Sequence, residues 1–152
     1  MRKRVIDQDR SGPGDWLDLE AVAQVEISSE NPAHPIEGAL TEGGDGWQAA
    51  RSGEQVVRVL FDEPRDLRLI EVTFDERRAA RTQEFLLRWS RDGGRSYQDV
   101  VRQQFTFSPP GTIRESERFA VNLSGVTTLE LRIVPDINHG SAHASLQSLR
   151  LA

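Results

Sequence analysis

The chain has 152 residues, of which 37% are hydrophobic and 28% charged, with a net charge of −5 and no cysteine. That is one ordinary domain, able to bury roughly 70% of its unfolded surface, and the composition excludes a mainly disordered chain. Without cysteine there are no disulfides, thiolate metal sites or cysteine nucleophiles, and an acidic balance disfavours binding to nucleic acid.

The N-terminus opens Met1-Arg2-Lys3-Arg4, but Asp7, Asp9 and Arg10 interrupt before any apolar run develops. The expectation is no secretory signal, no membrane partner and a cytoplasmic location. The chain has 18 Arg to a single Lys, which reads as the base bias of a bacterial genome rather than as an arginine-specific function. Residues 1–14, with Ser11-Gly12-Pro13-Gly14, read as a loose arm, and residues 15–152 as the folded domain.

From Leu17 the dominant period is two. Leu17, Leu19, Ala21, Ala23, Val25 and Ile27 alternate with mostly polar neighbours and predict one long strand. A single helical turn is expected within 35–40. The next runs are Gln55 to Phe61 and Leu67 to Phe74, with Asp62-Glu63-Pro64-Arg65-Asp66 as a turn between them. Glu84 to Ser90 follows, and Asp92-Gly93-Gly94 closes a hairpin into a strand from Tyr97 to Phe107. Ser108-Pro109-Pro110-Gly111 breaks that strand. Phe119 to Leu123 and Leu129 to Ile133 make two more, with Ser124-Gly125 as the turn, and Ser145 to Leu151 makes the last. The expected core is Phe61, Phe74, Phe85, Leu87, Trp89, Val121, Leu131 and Ile133, with Trp47 buried beside it. About eight strands with frequent turn signals and no long helix predict an all-β sandwich or barrel.

Four features in order carry a resemblance: Glu37-Gly38 before Trp47; Leu60-Phe61-Asp62-Glu63-Pro64; the strand leading into Ser90-Arg91-Asp92-Gly93-Gly94-Arg95-Ser96-Tyr97; and Leu131-Arg132-Ile133-Val134-Pro135 near the end. Over residues 15–152 the chain resembles the discoidin, or coagulation factor 5/8 type C, family. That resemblance implies a galactose-binding-like jelly roll of about eight antiparallel strands, as in many carbohydrate-binding modules. Many members hold a structural calcium with loop carbonyls and carboxylates, including a Glu in the last strand. Here Gln147 and Ser148 stand near that place, and a neutral amide lacks the charge that holds a hard dication. The expectation is therefore no cofactor, with Glu37 leaving room for at most a weak calcium site.

No nucleophile elbow, P-loop or three-ligand metal motif is present, so a non-catalytic module is expected. His139 and His143 read as solvated loop residues. Glu115 and Glu117, flanked by Arg114 and Arg118, read as a solvated, ion-paired edge. Arg77 and Arg78, offset by Asp75 and Glu76, read as a solvated charged loop. The expected function is carbohydrate binding through loops at one end of the sandwich, the loops being 29–46, 75–83, 108–112 and 135–143. Arg81, Gln103, Gln104, Phe107, Arg114 and His34 are the candidate contacts, offering guanidinium forks, amides, an imidazole and an aromatic face to a hydroxyl-rich ligand. An intracellular protein-interaction or oligomerisation domain, with a protein partner, is the alternative.

Overall fold

A computed structural model describes residues 1–2 and 16–152. The expected arm, 1–14, lies outside the described residues apart from its first two. Among the described residues no helix is long and apolar enough to cross a membrane. The elements are α1 (Leu19–Val22), β1 (Ala23–Ile27), α2 (Glu37–Leu40), β2 (Trp47–Ser52), β3 (Gln55–Asp75), β4 (Arg81–Ser90), β5 (Gln98–Phe107), β6 (Arg114–Val134), β7 (His143–Leu146) and β8 (Ser148–Leu151). All strand pairings are antiparallel. The architecture is the expected all-β sandwich.

The two longest strands explain how it closes. The segments read as a turn at 62–66 and a turn at 124–125 are instead bends inside continuous strands β3 and β6. Their pairing slips between Leu60 and Leu69, where Pro64 has no N–H to donate. Gly125 takes the left-handed conformation at φ +69°, and its N–H donates to Asp66 Oδ1 at 3.0 Å. The strands therefore bend together and stay paired on both sides. One half, Gln55 to Leu60 with Thr128 to Ile133, carries β1 on one flank and β4 then β5 on the other. The other half, Leu69 to Asp75 with Arg114 to Ala120, carries β8.

The halves face each other across an apolar interior. Phe74 of the second half lies 5.2 Å, ring centre to ring centre, from Phe85 on β4, and Phe119 lies 6.4 Å from Phe85. Inward positions follow the period of two, so Val57 and Val59, Phe85 and Leu87, and Leu131 and Ile133 are all buried. Of the expected core, Phe61, Phe74, Trp89 and Trp47 are buried too, while Val121 packs half-buried at the rim.

Three local expectations are corrected. The long first strand is a helical turn, Leu19–Val22, and then a short strand. The reason is the partner: Ala23 already faces Phe61, and β3 bends away beyond it, so residues before Ala23 have no ladder to join. The expected last strand is split at Gln147. Its first part, β7, pairs with β2, a strand the sequence reading missed, and its second, β8, pairs with β3. Tyr97 falls just before β5 rather than in it.

Candidate functional site

Loops gather around the short connection between β3 and β4, residues 76–80. Glu76 N–H donates to Ile113 O at 2.8 Å, which ties that connection to the one between β5 and β6. Ile137 N–H donates to Thr82 O at 2.9 Å and Arg81 Nη1 to Pro135 O at 2.6 Å, which bring in the connection after β6. Gln48 N–H donates to His34 O at 3.1 Å, so the long connection before β2 folds back on that strand. Between His34, Asp45 and Gln48 on one side and Asp75 to Arg78 on the other lies an open cleft of about 430 Å³.

The charges of this cleft are fixed from behind. Glu76 accepts from Arg81 Nε at 2.7 Å and from the Arg78 N–H at 3.1 Å. Partial burial works against ionisation of Glu76, but these donors outweigh it and hold its carboxyl below the usual range. Asp75 accepts a two-pronged fork from Arg114, at 2.7 and 2.9 Å. Arg77, Arg78, Asp45 and Gln48 are exposed and His34 is half-exposed. The cleft thus sets an imidazole and an amide opposite two tethered carboxylates and the guanidinium groups beside them.

The sequence-predicted contacts fall into three groups. His34 lines the cleft. Arg81 serves it from behind, and Arg114, which is exposed, holds Asp75 at its side. Arg81 is buried, its side chain tied to Glu76, Gln83 and Pro135 and lying 5.0 Å over the Phe107 ring, so it positions Glu76 and does not face a ligand. Phe107 itself is fully buried in the core and offers no face to solvent. Gln103 and Gln104 do not converge, because consecutive residues of a strand point to opposite faces. Gln103 donates inward to Glu115 at 3.1 Å and Glu117 at 2.8 Å, whereas Gln104 donates to Glu84 at 3.0 Å on the outer face.

Glu115 also departs from the reading as a solvated edge. It is buried between Gln83 and Gln103, and burial pushes its carboxyl up, with Glu117 adding to the rise. The cleft residues that sequence reasoning discounted are Asp75, Glu76, Arg77 and Arg78. The signal was the charge cluster itself; what it lacked was Arg114 and Arg81, which meet the acids only in the fold.

Gln147, whose neutral amide the sequence reading set against calcium, donates through Nε2 to Gly44 O at 3.2 Å. Among the described residues no three His, Asp or Glu side chains are gathered as a metal shell.

No protein-family model matches the chain, and no curated protein matches it. Solved structures do. A family 32 carbohydrate-binding module from C. perfringens NanJ, in complex with galactose, is 13% identical with a TM-score of 0.61, over 90% of this chain and 96% of that one. CpGH89CBM32-4 from Clostridium perfringens, in complex with GlcNAc-α-1,4-galactose, is 10% identical with a TM-score of 0.65, over 93% and 97%. Chitosan-binding module 1 of a chitosanase/glucanase from Paenibacillus sp. IK-5 is 15% identical with a TM-score of 0.62, over 90% and 98%. The chain has the galactose-binding-like, discoidin-type fold. Within that fold, β4, β5 and the Asp92-Gly93-Gly94 connection form the hairpin on which the resemblance chiefly rests. Gly93 and Gly94 both stand at positive φ, while Asp92 accepts from Ser90 Oγ, Ser96 N–H and Ser96 Oγ.

Proposed function

We propose that this chain is a non-catalytic carbohydrate-binding module, and that the saccharide lies in the cleft between His34–Gln48 and Asp75–Arg78. The observation that carries the reading is the pair of tethered carboxylates, Asp75 and Glu76, beside the exposed guanidinium groups of Arg77 and Arg78. Sugar hydroxyls each donate and accept, so a site for them needs fixed donors and fixed acceptors side by side. A carboxylate held by Arg81 and a backbone N–H keeps oxygen lone pairs open, and it is already ordered before the ligand arrives. Solved structures of the same fold are carbohydrate-binding modules, which supports a saccharide as the class of ligand. Trp47 lines the cleft but is only 1% exposed, so polar contacts rather than ring stacking dominate recognition.

A glycan array followed by calorimetry tests this. Glu76→Ala and the pair Arg77→Ala/Arg78→Ala each weaken binding about tenfold or more, the usual effect of removing a charged hydrogen-bonding group. The melting temperature of Arg77→Ala/Arg78→Ala stays close to wild type, since both side chains are exposed, whereas Glu76→Ala, which leaves the buried Arg81 guanidinium without its carboxylate, lowers it as well. If no glycan binds, or the variants bind like wild type, the reading fails.

A further inference from the structure

The outer face of the five-strand half carries an arrangement that the loop cleft does not use. Glu26, Arg58, Glu130 and Arg88 lie in one cross-strand row over β1, β3, β6 and β4. Two residues further along β6, Arg132 stands beside Leu86. Glu130 points outward, yet its side chain is 0% exposed, because three arginines close over it. Each uses only its Nε for that carboxylate: Arg88 and Arg132 at 2.6 Å to Oε1, and Arg58 at 2.7 Å to Oε2. The amino groups of Arg88 and Arg132 have no hydrogen-bond acceptor among the described residues. The nearest further carboxylates are Glu54, 3.7 Å from Arg132 Nη1, and Glu26, 3.8 Å from Arg58 Nη1. Both are more than half exposed, at 53% and 60%. The centre of the face thus holds three cations around one anion; Glu84, paired with Arg102, lines one of its clefts, and Asp99 on the edge strand β5 stands opposite Arg88.

Two clefts, of about 390 and 460 Å³, open on either side of Arg88. The larger contains Tyr97, with the Arg88 guanidinium 4.1 Å from its ring centre, and Thr128, whose buried hydroxyl has no partner. We propose that this sheet face is a second binding face, taking a saccharide chain that carries carboxylates. The guanidinium amino groups match a carboxylate in a two-pronged fork. Arg58, Arg88 and Arg132 converge on the one Glu130 carboxylate, so the open amino groups of Arg88 and Arg132 gather at one place on the face, where an acidic unit of the chain meets them together. Leu60 and Leu86 line the two clefts and provide apolar ground between the charges. The choice of a saccharide over an acidic peptide rests on the carbohydrate reading above; the cationic face stands without it.

The test is a titration with oligogalacturonate followed by backbone amide NMR, with a neutral galactan oligomer of equal length and poly-glutamate as comparisons. Oligogalacturonate moves the amides of Arg88, Thr128 and Arg132, the affinity falls as salt rises, and Arg88→Ala/Arg132→Ala weakens it about tenfold or more. Arg88→Lys, which keeps the charge and loses the fork, also weakens it, and each variant's amide spectrum reports directly on its fold. Unmoved sheet amides, equal binding of the neutral oligomer there, or tighter binding of poly-glutamate each overturn the proposal. Movement of the Glu76, Arg77 and Arg78 amides is read separately. The loop cleft can thus fail while the sheet face binds, and the reverse.

Discussion

Removing the charge of Glu130 is the most direct test of how this sheet is held. Burial works against its ionisation, but hydrogen bonds from Arg88, Arg58 and Arg132 outweigh burial and pull the carboxyl down from 4.5 to about 2. At 1.36 kcal/mol per pH unit that difference is about 3 kcal/mol in favour of the folded state. A carboxylate held low stabilises fully above its unfolded value. The contribution then fades as the pH drops through the folded value, so the window runs from roughly 4.5 down to 2. Glu130→Gln removes the charge at every pH and leaves three guanidinium groups facing one another. Urea unfolding at pH 7 should place this variant about 3 kcal/mol below wild type. The gap should close as both are measured at successively lower pH, because the wild type is losing what the variant never had. A gap that is the same at pH 7 and pH 2.5, or a pH 7 gap under about 1 kcal/mol, would refute the assignment of the stabilisation to an ionised Glu130.

Leu87→Ala, in the middle of β4 and fully buried, should cost about 2 to 5 kcal/mol by denaturant unfolding; a smaller loss would mean the layers close over the gap. Thermal melts with calcium and with a chelator should coincide, because Gln147 already bonds Gly44 O; a marked drop with chelator would show a metal holding that loop. Arg81→Lys should lower glycan binding through a raised carboxyl at Glu76, seen as a binding-against-pH curve displaced upward, whereas an unchanged curve would show that Arg81 does not set that charge.

Much of the interior was legible because its signal is local. Phe85, Leu87, Leu131 and Ile133 each sit on the apolar side of an alternating run, and a strand shows its buried face whatever its partner. The glycine hairpin was legible for a similar reason: Gly93 and Gly94 at positive φ form a turn that needs no distant contact. The bends were not legible as bends. Asp62-Glu63-Pro64-Arg65-Asp66 has the composition of a turn, and only Gly125 and Val126, some sixty residues away, decide that the strand continues. The split at Gln147 depends likewise on Thr73, whose carbonyl accepts its N–H at 2.8 Å.

The site was harder to read because its residues work in pairs far apart in sequence. Arg81 and Arg114 look like ligand contacts until Glu76 and Asp75 stand beside them, and Asp75 and Arg114 are 39 positions apart. The same holds for the outer face, where Arg58 and Glu130 are 72 apart. This bears on the surplus of arginine over lysine. In the clamps on Glu130 and Glu76 the Nε grips a carboxylate; on Glu130 the amino groups of Arg88 and Arg132 stay open, and at Arg81 one reaches Pro135 O. A lysine ammonium has three donors on one nitrogen, but it cannot present a planar two-pronged fork while another edge of the group is engaged. At these positions the planar fork has a task that lysine could not perform. The two surfaces that we propose bind ligand, the loop cleft and the sheet face, both depend on it.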